Sequence, residues 1–248
     1  MRRTLLELIM EKENLDEFLA ESWIREGYVI ANGEKTFLPS LKFEENTFKY
    51  EILKKNKNKY VSRAALKLIE AIKKFKIDIK NKVCLDIGSS TGGFVQVLLE
   101  NQAKKVYAVD CGTNQLDYSL RTNPKIKIYE KTNLKNLTRS MFEEEIDFVS
   151  CDVSFISSKH VFKVCKEILN ENTTLMLLIK PQFEASSKYV ETGGFVKEEH
   201  HHYIINKVIN FAKSFEFKNE FIAKSPITGE KSKNIEYISL FRKEEINE

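Results

Sequence analysis

From Val61 onward, short apolar runs of strand length alternate with longer segments of helical spacing, and no other feature restricts the fold so tightly. Val61, Ala65, Leu68, Ile69 and Ile72 recur at the three-to-four-residue interval that places them on one helix face. Alternating strand-like and helix-like segments then occupy 83–87, 94–100, 106–110, 126–129, 146–151, 161–169, 175–180, 202–215, 217–223 and 235–241. Strands that are apolar on both faces and joined through helices belong to a parallel sheet covered on both sides. Ligands of such sheets bind beyond the carboxyl ends of the strands.

Before residue 60 the pattern is different. Helical spacing covers about 4–10 and 15–26, followed by Gly27, a strand "YVIA", the turn signal Asn32-Gly33 and extended pieces over 35–38 and 47–52. This predicts a small α+β unit over 1–53, a linker over 54–60 where "LKKNKNKY" interrupts the apolar pattern, and an α/β domain over 61–248. Charge follows the same division. Residues 1–53 carry seven basic and eleven acidic side chains, whereas 54–82 carry eleven basic side chains against Glu70 and Asp78 alone. A block of that kind, including Lys54, Lys55, Lys57, Lys59 and Arg63, can follow a phosphate backbone, and on charge alone it equally fits a solvated linker and helix face.

With 248 residues, 42% of them hydrophobic, the chain can bury a full core. Its longest apolar run, "LMLLI" over 175–179, is far below the roughly 18–20 residues that cross a bilayer. The first residues lack the apolar centre of a secretory signal, so a soluble cytoplasmic protein is expected. Cys84, Cys111, Cys151 and Cys165 have no Cys-x-x-Cys spacing and read as reduced core thiols. His200, His201 and His202 are consecutive and point apart on a helix, which predicts an exposed helix start and no metal site.

The loop "LDIGSSTGGF" over 85–94 carries the chemistry. A phosphate-binding P-loop needs a lysine after its last glycine, and Gly93 stands there instead; a dinucleotide fingerprint needs G-x-G-x-x-G, and the order is G-x-x-x-G-G. A nucleoside cofactor with an amino-acid tail fits better. Gly88 and Gly92 let backbone approach that tail, Asp86 can meet its ammonium, and Asp110, closing the next strand, can accept from both ribose hydroxyls. That describes S-adenosylmethionine and favours a methyltransferase over a nicotinamide enzyme.

Four ionisable groups end or interrupt apolar segments at strand ends that should converge: Lys67 in "SRAALKL", Asp152 in "CDVSFIS", Lys180 in "LLIKPQFE" and Glu236 in "NIEYISL". Methyl transfer to a sugar hydroxyl needs in-line geometry and an acceptor for the hydroxyl proton. Lys180 is the expected base, with Lys67 as the neighbouring cation that makes its proton easier to lose. Asp152 and Glu236 would orient the ammonium groups and the target hydroxyl and limit the cost of burying two cations.

Together "YVSRAALKL", "LDIGSSTGGF", "YAVD", "CDVSFIS", "IKPQFE" and "SPITGEKSKNIEY" resemble the TlyA or hemolysin A family of ribosomal RNA 2′-O-methyltransferases, whose catalytic domain is of the FtsJ type. The resemblance covers about 1–243. It implies a Rossmann-like sheet, mostly parallel with an antiparallel last strand, preceded by a small RNA-binding domain. Its Lys-Asp-Lys-Glu tetrad falls on Lys67, Asp152, Lys180 and Glu236. Its S-adenosylmethionine pocket falls on Asp86, Gly88, Ser90, Gly92, Gly93, Phe94, Asp110, Thr132, Asn133 and Asp152. The substrate it implies is a cytidine ribose in ribosomal RNA, within a ribosomal subunit. The N-terminal unit resembles the family's S-four-type RNA-binding module through "EGYVIANGEKTFLPS", with Gly27, Val29, Asn32, Gly33, Pro39 and Ser40 in register. It departs where the second helix opens, with Asp16 and Glu17 in place of a Ser-Arg pair. A monomer is expected. The competing reading, a membrane-active hemolysin, comes from the family's older name and has no spanning segment to support it.

Overall fold

The computed structural model describes residues 2–25, 27–53, 60–229 and 233–244. Lys54, Lys55, Lys57 and Lys59, expected to contact RNA, lie outside the described residues, as does most of the 54–60 linker. The chain forms two compact units, one of residues 1–59 with 117–122, the other of 60–116 and 123–248.

In the first unit, strand β1 (Arg2–Thr4) runs into helix α1 (Leu5–Glu13) through a capping box. Thr4 Oγ1 accepts the Glu7 N–H at 3.2 Å and Glu7 Oε2 accepts the Thr4 N–H at 2.8 Å, so two amides that the first helical turn leaves open are satisfied. Helix α2 (Glu17–Arg25) follows, then strands β2 (Val29–Ala31), β3 (Glu34–Lys35), β4 (Lys42–Glu44) and β5 (Tyr50–Ile52). Asn32 and Gly33, with φ of 48° and 87°, make the tight β2–β3 turn that their sequence signals. Sheet order is β3-β2-β5, and β1 pairs antiparallel with β4. The β1–β4 ladder was not foreseen, and the extended piece expected from residue 47 begins at Tyr50, because 45–47 turn as a 3-10 helix. Leu5, Leu8, Ile9, Ala20, Ile24, Val29, Ala31 and Phe48 form this unit's core.

The second unit opens with helix α3 (Ala65–Phe75), followed by β6 (Val83–Ile87), α4 (Gly93–Glu100) and β7 (Lys105–Val109). After α5 (Tyr118–Arg121), which belongs to the first unit, come β8 (Ile126–Tyr129), β9 (Phe148–Cys151), α6 (Ser158–Ile168), β10 (Thr174–Ile179), α7 (Pro181–Glu184), α8 (His201–Ser214), β11 (Phe217–Lys224) and β12 (Tyr237–Lys243). The seven strands lie in the order β11-β12-β10-β9-β6-β7-β8, with β12 antiparallel to both neighbours and β10, β9, β6, β7 and β8 mutually parallel. This is a Rossmann-like α/β sheet. Strands β6, β9 and β10 are buried at every residue, as a sheet covered on both faces requires. The order reverses between β6 and β9, and at such a switch point the loops leaving two adjacent strands part and open a crevice.

The structure departs from two expectations. His201 is 3% exposed and hydrogen-bonds on both ring nitrogens, so it is a buried brace and does not belong to an exposed helix start. Cys111 is exposed, whereas Cys84, Cys151 and Cys165 are buried free thiols; Cys111 follows Asp110 in the turn that leaves β7, where the chain has left the core.

Candidate active site

Lys67 lies in the first turn of α3, Asp152 directly follows β9, Lys180 directly follows β10 and Glu236 directly precedes β12. Because β12 runs against the other strands, its first residue sits at the same sheet edge as their last residues. All four side chains meet there. Lys67 Nζ donates to Asp152 Oδ2 at 3.0 Å and to Glu236 Oε2 at 2.7 Å. Lys180 Nζ donates to Ser154 Oγ at 3.0 Å and lies 2.6 Å from Asp152 Oδ1, an ion pair outside hydrogen-bond geometry.

The order of contacts, Glu236–Lys67–Asp152–Lys180, refines the expected roles. Asp152 bridges the two ammonium groups, and Glu236 binds Lys67 through Oε2. Two cations and two anions balance within a buried cluster, which is the condition for keeping such charges out of water. Burial works against ionisation of Asp152, but Lys180 and Lys67 outweigh it and hold the carboxyl below its ordinary range. Burial likewise opposes the Lys67 charge, and Asp152 and Glu236 reverse that, holding its ammonium above the ordinary lysine range.

Beside the cluster the glycine loop leaves β6 and enters α4. Gly88 has φ of 85°, and a Cβ there would stand 2.7 Å from the Asp152 carbonyl oxygen. Gly93 allows α4 to start against the segment carrying Lys67, since a Cβ would meet Ser62 at 3.0 Å and the Ala65 nitrogen at 3.1 Å. Gly92, with φ of 95°, turns the chain into the helix. Both carboxylate oxygens of Asp110 hold this neighbourhood: Oδ2 accepts the Ser90 N–H at 2.8 Å and Oδ1 the Gly112 N–H at 2.7 Å. Thr132 donates its N–H to the Asp110 carbonyl at 3.0 Å, and Asn133 Oδ1 accepts the Lys135 N–H at 3.0 Å to cap a short turn.

Asp86, 1% exposed, lies beneath the loop. Its Oδ1 accepts from Ser150 Oγ at 2.7 Å, while Oδ2 has no hydrogen-bond partner among the described residues. Burial pushes its carboxyl up to about 7 despite the hydrogen bond from Ser150.

A cavity of about 600 Å³ joins cluster and loop. Of the expected residues it is lined by Arg63, Lys67, Gly88, Ser90, Gly93, Phe94, Asp152, Lys180 and Glu236; Asp86, Gly92, Asp110, Thr132 and Asn133 stand off its wall. Arg63 Nη2 donates to the Thr228 carbonyl at 3.0 Å. Sequence reasoning missed other parts of the wall, Phe155, Gln182 and the pair Gly193-Gly194 among them. Phe155 is 90% exposed with φ of 62°, its ring 5.0 Å from that of Phe183. The double glycine was a visible turn signal. Nothing in "CDVSFIS" distinguishes an exposed phenylalanine from a core one.

The FtsJ-like methyltransferase family model matches residues 60–243. Hemolysin A of Brachyspira hyodysenteriae is 40% identical over 224 residues, covering 90% of this chain and 92% of its own. The 23S rRNA (cytidine-2′-O)-methyltransferase TlyA of Campylobacter jejuni is 41% identical over 191 residues, covering 71% and 74%. A solved structure from Streptococcus thermophilus, whose working label is hemolysin, superposes with a TM-score of 0.74 at 33% identity over 98% of this chain and 89% of its own.

Proposed function

Because the chain belongs to the FtsJ-like methyltransferase family, we propose that it transfers a methyl group from S-adenosylmethionine to a cytidine ribose 2′-hydroxyl of ribosomal RNA. The observation that carries this reading is the closed Glu236–Lys67–Asp152–Lys180 cluster at the switch point, on one cavity with the glycine loop. The cavity volume falls in the range that holds a ligand of nucleoside size. Gly88 and Gly93 on the cavity wall support the fit, since side-chain-free backbone entering a helix lets a polar tail come close. Asp86 would answer the ammonium, the Gly88–Gly93 backbone the carboxylate tail, Asp110 the ribose, and Phe94, Thr132 and Asn133 would border the base; Asp152, on the cavity wall, faces the same ligand. S-adenosylmethionine supplies a methyl group on a sulfonium, ready for displacement.

Lys180 Nζ receives the proton of the target hydroxyl. Its own proton must first pass to solvent, and Asp152 Oδ1, 2.6 Å away, then holds the ammonium that forms. Ser154 fixes the direction of the lysine. Phe155 and Phe183 offer an exposed aromatic face on which the base of the target nucleotide can stack. Arg63, with Lys54, Lys55, Lys57 and Lys59, would neutralise phosphates, and residues 1–53 would act as an S-four-like RNA-binding module serving the catalytic domain of 61–248. The protein would work as a monomer on ribosomal subunits in the cytoplasm. No helix among the described residues is long and apolar enough to cross a membrane.

The test is incubation of the full chain with ribosomal subunits and methyl-labelled S-adenosylmethionine, with ribose methylation mapped by mass spectrometry. One or more 2′-O-methylcytidines are expected. Absence of ribose methylation, with dye released from lipid vesicles by the same preparation, would favour the membrane-active reading instead.

A further inference from the structure

Glu236 reaches Lys67 from the stretch directly before β12, so the side chain's place depends on what holds that stretch as well as on the strand that follows. Asn234, two residues before Glu236, is 0% exposed. Its Oδ1 accepts the Val196 N–H at 2.9 Å, its Nδ2 donates to the Gly194 carbonyl at 2.7 Å, and its own carbonyl accepts the Gly229 N–H at 2.9 Å. Gly194 and Gly229 line the cavity. Val196 is then held from its other side. His201 Nε2 meets the Val196 carbonyl at 3.1 Å and Nδ1 meets the Tyr237 hydroxyl at 2.9 Å. A carbonyl only accepts, so Nε2 carries the hydrogen, and in the neutral ring Nδ1 accepts from the Tyr237 O–H.

These bonds form a ring, Asn234–Val196–His201–Tyr237, that begins and ends on either side of Glu236. The main chain of Glu236 is fastened as well, its carbonyl accepting the Ser225 N–H at 2.8 Å. Gly193 and Gly194 have φ of 87° and 80°, yet an added Cβ would meet nothing within 4 Å. Glycine is required there by the backbone conformation alone, which means that the shape of the turn, and its hold on Asn234, is what the pair secures.

We propose that Asn234 is a positioning residue of the methyl-transfer site: through the 194–196 turn and the His201–Tyr237 arm it holds Glu236 in register with Lys67, and so sets the cluster that receives the proton. The inference rests on the proposed function for its kinetic readout, and on the hydrogen bonds alone for its structural one. None of the braced atoms belongs to the glycine loop. Cofactor affinity and transfer rate should therefore separate.

The experiment compares full-length wild type, Asn234→Ala and Tyr237→Phe. Amide exchange at Val196 should quicken at least about tenfold in Asn234→Ala, because its buried acceptor is gone. In single-turnover methylation of ribosomal RNA the rate should fall about 10–100-fold in Asn234→Ala and less in Tyr237→Phe, as small misplacements of a reacting group do, with cofactor Kd and RNA KM within about threefold of wild type. Unchanged rates in both variants, or a rate loss matched by equal weakening of cofactor binding, overturns the proposal. So does unchanged exchange at Val196. If Asn234→Ala fails to fold, Tyr237→Phe, which removes one oxygen and keeps the ring packing, decides alone on the split between rate and affinity. A wild type that methylates no RNA refutes the proposed function, and Val196 exchange then judges the brace by itself.

Discussion

Replacing Asp86 with asparagine should increasingly favour the free folded protein as pH rises, at the expense of cofactor binding. In the folded chain burial raises the Asp86 carboxyl to about 7, whereas an unfolded aspartate titrates near 3.9. The folded state therefore binds the proton more tightly. Stability attributable to this group is intact below the unfolded value, declines as pH rises from about 4 to 7, and stays low above that. Three pH units correspond to about 4 kcal/mol, which is an upper bound because local rearrangement would reduce it. Asparagine keeps an acceptor for Ser150 Oγ, but its amide places two unpartnered N–H donors where the neutral carboxyl has one O–H, a pH-independent cost of about 1–3 kcal/mol. Asp86→Asn should thus be the weaker protein near pH 4, and the difference should move in its favour by up to about 4 kcal/mol toward pH 8. Urea titrations followed by far-UV circular dichroism across pH 4–8 measure this directly. Fluorescence would not, because the single tryptophan, Trp23, belongs to the first unit. A stability difference that stays constant between pH 4 and pH 8 would refute the assignment of a strained buried charge. S-adenosylmethionine should stabilise wild type and do little for the variant.

Lys180→Arg keeps the ion pair to Asp152 but cannot release a proton near neutral pH, so methyl transfer should disappear while cofactor Kd, measured by calorimetry, stays within a few fold. Retention of more than about a tenth of the wild-type rate would reduce Lys180 to a positioning group. Asp110→Ala removes the acceptor of both the Ser90 and Gly112 amides, so it should weaken cofactor binding by about 2–4 kcal/mol through loss of loop shape together with the ribose contact. Asp110→Asn, which can keep only one of those amides without a clash of donors, should fall in between; equal affinity in all three proteins would remove Asp110 from the site.

The parts of this protein that the sequence determined are those set by neighbours a few residues apart. Helical spacing in α3, the apolar runs of β6, β9 and β10, the Asn32-Gly33 turn and the positive-φ glycines at 88 and 92 each follow from local sterics and period, and each could be read directly. So could the four ionisable positions, because a charge at the end of an apolar strand is conspicuous. Their pairing could not. Lys67 meets Asp152 across 85 residues and Glu236 across 169, and which oxygen faces which ammonium depends on strand order and on the reversed direction of β12. Strand order also decided that Asp152 bridges both lysines. The same holds for His201, whose consecutive histidines suggested an exposed helix start until packing put its ring between Val196 and Tyr237. It holds again for Phe155, whose identity says core and whose position four residues beyond β9 leaves its ring in the open. Local signals fix where the chain turns; only the assembled sheet fixes what the turns bring together, because the energy of a buried ion pair or hydrogen bond exists only once both partners have left water in the same place.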